Sequence, residues 1–305
     1  MEGIPQPRPK IVPEPRHQFG AVGEIPVKSP EFVEEVKGRF SVLKDALASY
    51  SREKNRLKQM GIPNPDPAAR FGQALGESYM RVHQVNMLLN LTEDQHKQFV
   101  DMIMACAPSA EVGKMILSGV MTQFGVCQAL TELTDSDDFP QLGDMKLYHP
   151  EDKEDLFGGT DLYIELGDTV YAVQIKAYPT KDTKNKMLYP IDPNKALDVQ
   201  LDNIITPLLL EVDTSRDIAE RLWAEARHKA NFSVGNLVDN AADYSNVVPL
   251  FMPIASPNSE ASLITTKGEP MPEMVRMLGE QLSSIHNRRN YYLPVPQENQ
   301  LDMAA

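Results

Sequence analysis

The fold is decided by residues 158–176, which read GGTDLYIELGDTVYAVQIK. Two short apolar runs, 161–166 and 169–177, have the alternation and β-branched content of strands. The pair Gly167-Asp168 separates them and is typical of a tight turn. The stretch therefore predicts a β-hairpin.

Polar side chains stand where the two predicted strands meet. Asp161 begins the first strand, and Gln174 and Lys176 lie near the end of the second. Successive side chains of a strand point to opposite faces, so Gln174 and Lys176 share one face while Val173 and Ile175 face a core. An acid and a lysine at neighbouring strand ends suit the binding of a divalent metal beside a phosphodiester.

The composition is that of an ordinary globular protein, with 42% apolar and 24% charged residues among 305. No apolar run approaches the roughly 18 residues needed to cross a bilayer. The N-terminus lacks the apolar segment of a secretory signal, so we expect a cytoplasmic protein without a membrane partner. Cys106 and Cys127 lack metal-ligand spacing and are expected to be buried free thiols.

The charge is unevenly distributed along the chain. A net charge of −13 is unfavourable for nonspecific binding of nucleic acid, which depends on basic side chains. Directly after Gln174, however, lysines outnumber acids, and they are the candidate phosphate-binding residues. These are Lys181, Lys184 and Lys186, with Lys176 before them and Asp182 the one acid. A solvated loop is the alternative interpretation of the same residues.

The N-terminal third is expected to differ from the rest. Residues 1–30 contain seven prolines, which predicts a disordered or extended arm over 1–29. An all-helical region is predicted over 30–107. Its expected helices are 30–60, 68–89 and 92–106, the last with Thr92 and Gln95 placed as a capping box. This region is a candidate for DNA reading, partner binding or homo-oligomerisation.

Residues 108–286 predict an α/β domain, followed by a polar tail over 287–305. The expected order is helix, three strands, two helices, strand and helix, which is typical of a mixed sheet flanked by helices. The predicted helices are 110–133, 195–210, 215–232 and 272–285. The predicted strands are 145–148, 161–166, 169–177 and 247–254, with a polar loop over 180–195. Prolines in the last strand favour an edge or end position.

This order and these residues resemble the PD-(D/E)xK nuclease superfamily, and within it the Mrr-like restriction endonuclease branch. The similarity is carried by Gly158-Gly159-Thr160-Asp161 and by Val173-Gln174-Ile175-Lys176, a Gln-x-Lys variant of the motif. It covers residues 109–285 and leaves the helical N-terminal region outside. The resemblance implies a restriction-endonuclease-like fold and a metal-dependent endonuclease that acts on nucleic acid, with DNA favoured.

The resemblance also implies roles for individual residues. Asp161 and Gln174 would provide oxygen ligands to Mg²⁺, with Mn²⁺ as an alternative, and Lys176 would act on the attacking water and the phosphate. The family carries a glutamate on its first core helix, for which Glu111 is the preferred match and Glu132 the rival.

A second interpretation stays open. A nuclease-fold protein that has lost catalysis would serve as a binding or assembly subunit, and the net acidity and the neutral Gln174 favour it. An unrelated protein whose hairpin is purely structural is a third alternative.

Overall fold

One mixed β-sheet organises the chain in the computed structural model. The structure describes residues 18–19, 25–27, 33–62, 92–150, 159–178, 186–209, 216–257 and 259–293. The expected helix over 68–89 lies outside these residues, as does the tail beyond 293. The expected role of the helical N-terminal region in partner binding stays a prediction.

The sheet has six strands, two of which are only two residues long. In chain order they are β1 (Ile25–Pro26), β2 (Lys146–His149), β3 (Leu162–Leu166), β4 (Thr169–Tyr178), β5 (Tyr189–Pro190) and β6 (Val247–Ala255). Their spatial order is β1-β2-β3-β4-β6-β5. β4 and β6 are parallel, and the other pairs are antiparallel. The predicted hairpin is confirmed as β3 and β4, with Gly167 at φ +62° in the turn.

Six α-helices lie in the described part of the chain, besides two three-residue 3-10 helices. They are α1 (Val33–Gln59), α2 (Glu93–Cys106), α3 (Ala110–Thr134), α4 (Leu197–Leu209), α5 (Arg216–Ala241) and α6 (Pro272–Asn287). The predicted capping box of α2 is confirmed, because Thr92 Oγ1 accepts the Gln95 N–H at 3.3 Å and Gln95 Oε1 accepts the Thr92 N–H at 2.9 Å. Among the described residues, none of the helices has the length and apolar character to span a membrane.

The predicted end of α5 at residue 232 is wrong. The helix continues to Ala241 because Val234, Leu237 and Ala241 keep the three- and four-residue spacing of apolar side chains and are buried. Gly235 lies within this continuation, and its unfavourable helix propensity is overridden by the packing of its neighbours.

Helices cover both faces of the sheet. Val173 and Ile175 are buried in a core, as predicted, and the cluster to which they belong includes side chains of α3 and α6. The opposite face of β4 and β6 packs against α4 and α5, which contribute Ile205 and Val234. Strands buried on both faces have nearly continuous apolar sequences, which explains the burial of every residue of β6.

The position of β6 corrects one expectation. β6 has neighbours on both sides, because β5 pairs with its residues Leu250 and Phe251. β5 itself lies within 180–195, the stretch expected to be a polar loop. Pro249 is tolerated inside β6 because its backbone carbonyl points toward β5 and not toward β4. The Pro249 carbonyl accepts the Ile191 N–H at 2.9 Å, so its ring nitrogen also faces away from the long parallel pairing.

Candidate functional site

The structure brings two of the predicted site residues into direct contact. Asp161 immediately precedes β3, and its backbone N–H donates to the Val173 carbonyl of β4 at 2.8 Å. The amide nitrogen of Gln174 donates to Asp161 Oδ2. The Ile175 N–H donates to the same oxygen at 2.6 Å. The Asp161 carboxylate, just before β3, therefore accepts a β4 backbone N–H in the way that a backbone carbonyl of a neighbouring strand would.

A third donor reaches Asp161 from the helical layer. Gln123 of α3 donates from Nε2 to Asp161 Oδ1 at 2.8 Å. This residue is absent from the predicted site. Its signal in the sequence is the polar pair Thr122-Gln123 between the apolar residues Met121 and Phe124 of the helix. The observed hydrogen bond makes Gln123 part of the site.

Gly159 fixes how the chain enters the site. Its φ is +67°, a conformation that favours glycine, and a Cβ atom placed there would lie 2.1 Å from the Ser233 carbonyl oxygen of α5. Two backbones therefore meet without room for a side chain. The second glycine of the quoted motif is required by this close approach, which sets the position of Asp161 two residues later.

Lys176 lies on the same strand face as Gln174, two residues further along β4. This separation corresponds to about 7 Å along an extended chain. The residue is half-buried, and its ammonium forms no hydrogen bond or ion pair with any residue that the structure describes. Its three N–H donors are therefore available to a water molecule or a phosphate oxygen.

The two glutamates proposed for the first helix lie elsewhere on α3. Glu111 is in its first turn and Glu132 is near its end, and both are exposed. At 1.5 Å per residue, Glu111 is about 18 Å and Glu132 about 14 Å along the axis from Gln123. Hydrogen bonds from its own backbone and from Ser109 lower the pKa of Glu111, as expected for a carboxylate at a helix N-terminus. The helix residue that contacts Asp161 is Gln123.

The candidate phosphate-binding lysines are described only in part. Lys181 and Lys184 lie outside the described residues. Lys186 is exposed, with its Nζ 4.5 Å from the ring centroid of Tyr189, and partial desolvation lowers its pKa. Tyr189 stands opposite Phe251, which stands opposite Gln174, so Lys186 borders the same sheet end as the site.

Cys127 belongs to the apolar core next to Asp161. It lies four residues after Gln123 on α3 and is buried. Burial, with a smaller contribution from the negative charge of Asp161, raises the pKa of its thiol to about 12. The thiol is therefore protonated at neutral pH in the metal-free protein.

The oxygen atoms available as metal ligands in this site are few, but they suffice for a divalent cation. The described residues contain no group of three His, Cys, Asp or Glu side chains that could hold a metal. Asp161 offers one carboxylate, and three N–H donors occupy most of its roughly four lone-pair positions. Mg²⁺ keeps several waters and often uses only one or two carboxylates. Asp161 with the Gln174 amide oxygen fits this pattern once the amide turns its oxygen away from Gly159.

Comparison of the chain with protein-family models, with curated protein sequences and with solved structures found no match. The candidate site therefore consists of the Asp161 carboxylate and the two side-chain amides that contact it, with Lys176 two residues beyond Gln174 on β4.

Proposed function

We propose that the chain is a metal-dependent nuclease that hydrolyses phosphodiester bonds of nucleic acid, with DNA as the favoured substrate. The observation that carries this proposal is the contact between Asp161 and Gln174, with Lys176 on the same face of β4 and without a described partner. A carboxylate that binds a cation and an unpaired lysine two residues along the neighbouring strand would together bind a phosphate.

The order of elements supports the same proposal. From α3 onward the long elements run helix, three strands, two helices, strand, helix, and β4 and β6 are parallel. The resemblance to the PD-(D/E)xK superfamily implies a core of one helix, three strands, one helix and one strand, and the observed order contains this core with one additional helix before the last strand and one after it. We therefore propose a restriction-endonuclease-like fold for this part of the chain.

Each residue would have a distinct task. Asp161 would hold Mg²⁺ or Mn²⁺ through a carboxylate oxygen, and Gln174 would add its amide oxygen. When bound, the cation would acidify a water molecule and polarise the phosphoryl oxygen. Lys176 would orient that water and stabilise the negative charge that develops on the phosphate. Gln123 and the Ile175 N–H would keep the Asp161 carboxylate in place.

A catalytically inactive nuclease-fold protein is the second candidate. It is favoured by the three N–H donors on Asp161, since a carboxylate held by Gln123, Gln174 and Ile175 is already satisfied without a metal. In this case Asp161 would serve to join α3, β3 and β4. The protein would then act as a binding or assembly subunit.

A cleavage assay separates the two candidates. Purified full-length protein is incubated with plasmid, single-stranded DNA and RNA in the presence of Mg²⁺, Mn²⁺ or EDTA. We expect metal-dependent cleavage that Lys176→Ala lowers by at least about 100-fold, since general acid–base and electrostatic contributions have this size. Binding of the same substrate in EDTA should change less than cleavage.

Lys146→Ala is the matched control, because Lys146 is an exposed lysine of the same sheet whose ammonium pairs with Glu165 on β3. It should retain cleavage. Absence of cleavage by the wild type on every substrate and with either metal would contradict the nuclease and favour the second candidate. Equal losses in the two lysine variants would remove the specific role of Lys176.

A further inference from the structure

A tyrosine at the edge of the sheet lies on the same face as Lys176. Tyr189 of β5 stands opposite Phe251 of β6, and Phe251 stands opposite Gln174 of β4. Residues paired across a sheet point to one face, and Tyr189 packs against the core cluster that contains Phe251. Lys176 follows Gln174 by two residues and therefore faces the same side. Tyr189 is two strands away from Gln174, which corresponds to about 10 Å.

The ammonium of Lys186 lies over the ring of Tyr189. Its Nζ is 4.5 Å from the ring centroid, within the range of a cation–π contact. Partial burial lowers the pKa of Lys186, and no carboxylate of the described residues opposes this effect. Lys186 is therefore a partly desolvated cation that an approaching anion would stabilise.

Other lysines near this end of the sheet differ from Lys186. Lys195, just before α4, pairs with Asp192 at 3.0 Å, and Lys229 of α5 pairs with Glu225. The charge of each is balanced within the protein. Lys176 and Lys186 have no such partner among the described residues, so their charges are available to an anion from outside.

Gln281 of α6 holds the backbone next to Lys186. Its Oε1 accepts the N–H groups of Met187 and Leu188, each at 2.9 Å. Because two successive N–H groups point to one oxygen, the chain departs from strand geometry just before β5. Met187 and Leu188 are both buried in the main core cluster, whereas Lys186 is exposed. Gln281 therefore fixes the point from which the Lys186 side chain extends.

We propose that Lys186 and Tyr189 form a second phosphate-binding subsite for nucleic acid, and that Gln281 is its positioning residue. The proposal rests on the nuclease function for its substrate class. Lys176 would contact the phosphate at the candidate site, and Lys186 would contact another phosphate of the same substrate. An ammonium binds phosphate as a point charge with three N–H donors, and the ring of Tyr189 restricts where this ammonium lies.

Binding of a labelled DNA duplex of about 20 base pairs, two helical turns, tests the subsite. Fluorescence anisotropy is measured with full-length protein in EDTA, so that no cleavage is needed. Lys186→Ala should lower the affinity by at least about fivefold at about 0.05 M salt, because one phosphate contact is lost. The slope of the logarithm of affinity against the logarithm of salt concentration should become shallower by about 0.9.

Lys195→Ala is the matched control, because it removes an exposed lysine from the same connection whose charge Asp192 already balances. It should change the affinity by less than about twofold. If Lys186→Ala leaves both the affinity and the salt slope at the values of this control, the proposal is overturned and Lys186 is a solvated surface lysine.

Gln281→Leu separates positioning from charge. It removes the accepting oxygen and leaves the net charge of the protein unchanged. The folded variant should show the weaker affinity and the shallower salt slope of Lys186→Ala, because Lys186 loses its fixed position. Combining the two substitutions should cause no further loss. Additive losses, or a Gln281→Leu protein that binds like the wild type, would overturn the positioning role.

Acetylation of lysines in the wild-type protein gives a readout that does not depend on a variant. Only the unprotonated amine reacts, so the lowered pKa of Lys186 favours its labelling in the free protein. Saturating duplex should protect Lys186. Lys146, which lies toward the other edge of the sheet and pairs with Glu165, should be labelled as before. Labelling of Lys186 that the duplex does not change would overturn the subsite.

The subsite and the nuclease function can fail separately. A protein whose DNA binding in EDTA depends on Lys186, but which cleaves no substrate with either metal, contradicts the nuclease and not the subsite. Cleavage that Lys176→Ala abolishes, with a KM that Lys186→Ala leaves unchanged, contradicts the subsite and not the nuclease.

Discussion

Gln123 of α3 donates a 2.8 Å hydrogen bond to the Asp161 carboxylate just before β3, and this bond links the helical layer to the candidate site. The same carboxylate accepts N–H groups of Gln174 and Ile175 in β4. Three elements therefore meet at one charged side chain. A change at Asp161 should affect the fold as well as any chemistry.

Asp161→Asn should lower the free energy of unfolding by about 1–3 kcal/mol. The substitution replaces one accepting oxygen by an amino group, which leaves a half-buried N–H donor facing another donor. Urea unfolding followed by circular dichroism measures the change. Asp137→Asn, at an exposed aspartate after α3, should stay within about 0.5 kcal/mol of the wild type. Equal stability of all three proteins would show that the Asp161 hydrogen bonds contribute little.

Gly159→Ala should destabilise the protein by more than about 2 kcal/mol and lower cleavage. A Cβ atom would meet the Ser233 carbonyl oxygen at 2.1 Å, so the Gly159 segment or α5 has to move, and Asp161 moves with it.

Gly167→Ala separates the effect of the steric clash from the conformational cost of placing alanine at a positive φ. Gly167 also has a positive φ, +62°, but a Cβ atom there would meet nothing within 4 Å. Its replacement should therefore cost only the conformational term of about 1 kcal/mol. Thermal unfolding of both variants provides the comparison. Similar losses in the two would show that the contact with Ser233 is absorbed by local movement.

The hairpin and its flanking elements could be predicted because their signals are local. Strand alternation, the Gly167-Asp168 turn and the Thr92–Gln95 capping box each depend on residues a few positions apart. The pairing of Asp161 with Gln174 followed from the hairpin, since a two-residue turn sets the register of the strands.

The contact of Gln123 could not be predicted in the same way. It depends on how α3 is rotated against the sheet, which is decided by packing along the whole helix rather than by the neighbours of Gln123 in sequence. The choice of Glu111 relied on the resemblance, and in the structure Glu111 lies several turns away. β1 and β5 are two residues long, too short for a periodic pattern, and their positions are set by β2 and β6.

The stability of the protein should fall above about pH 9 in a manner that depends on Cys127. Burial raises the pKa of the thiol to about 12 in the folded state, whereas an unfolded cysteine has a pKa near 8.5. The unfolded chain therefore loses the proton first, and the stabilisation present at lower pH decreases as the pH rises. Each pH unit in this window corresponds to about 1.4 kcal/mol.

Comparison with Cys127→Ala isolates this effect, since the cost of the smaller side chain does not depend on pH. The stability advantage of the wild type over the variant should shrink by about 1–2 kcal/mol between pH 8 and pH 10. Urea unfolding at both pH values measures it. A constant difference would mean that the thiol ionises in the folded protein.

Gln174→Glu tests whether the Asp161 pair can hold a divalent cation. The variant places a second carboxylate against Asp161, and the repulsion raises the pKa of the pair. Without metal, its stability should be greatest near or below pH 4 and should decrease, relative to the wild type, as the pH rises toward the raised folded pKa. A bound cation relieves the repulsion, so Mg²⁺ should raise the Tm of the variant more than that of the wild type.

Gln141→Glu is the control, because it adds a glutamate at an exposed position of the same domain. Mg²⁺ should affect its Tm no more than that of the wild type. The measurement requires no cleavage, so it distinguishes a divalent-cation site from a purely structural junction even if the natural protein is inactive. If Mg²⁺ shifts the Tm of Gln174→Glu and of Gln141→Glu equally, the contact between Asp161 and Gln174 is structural, and the second candidate function is favoured.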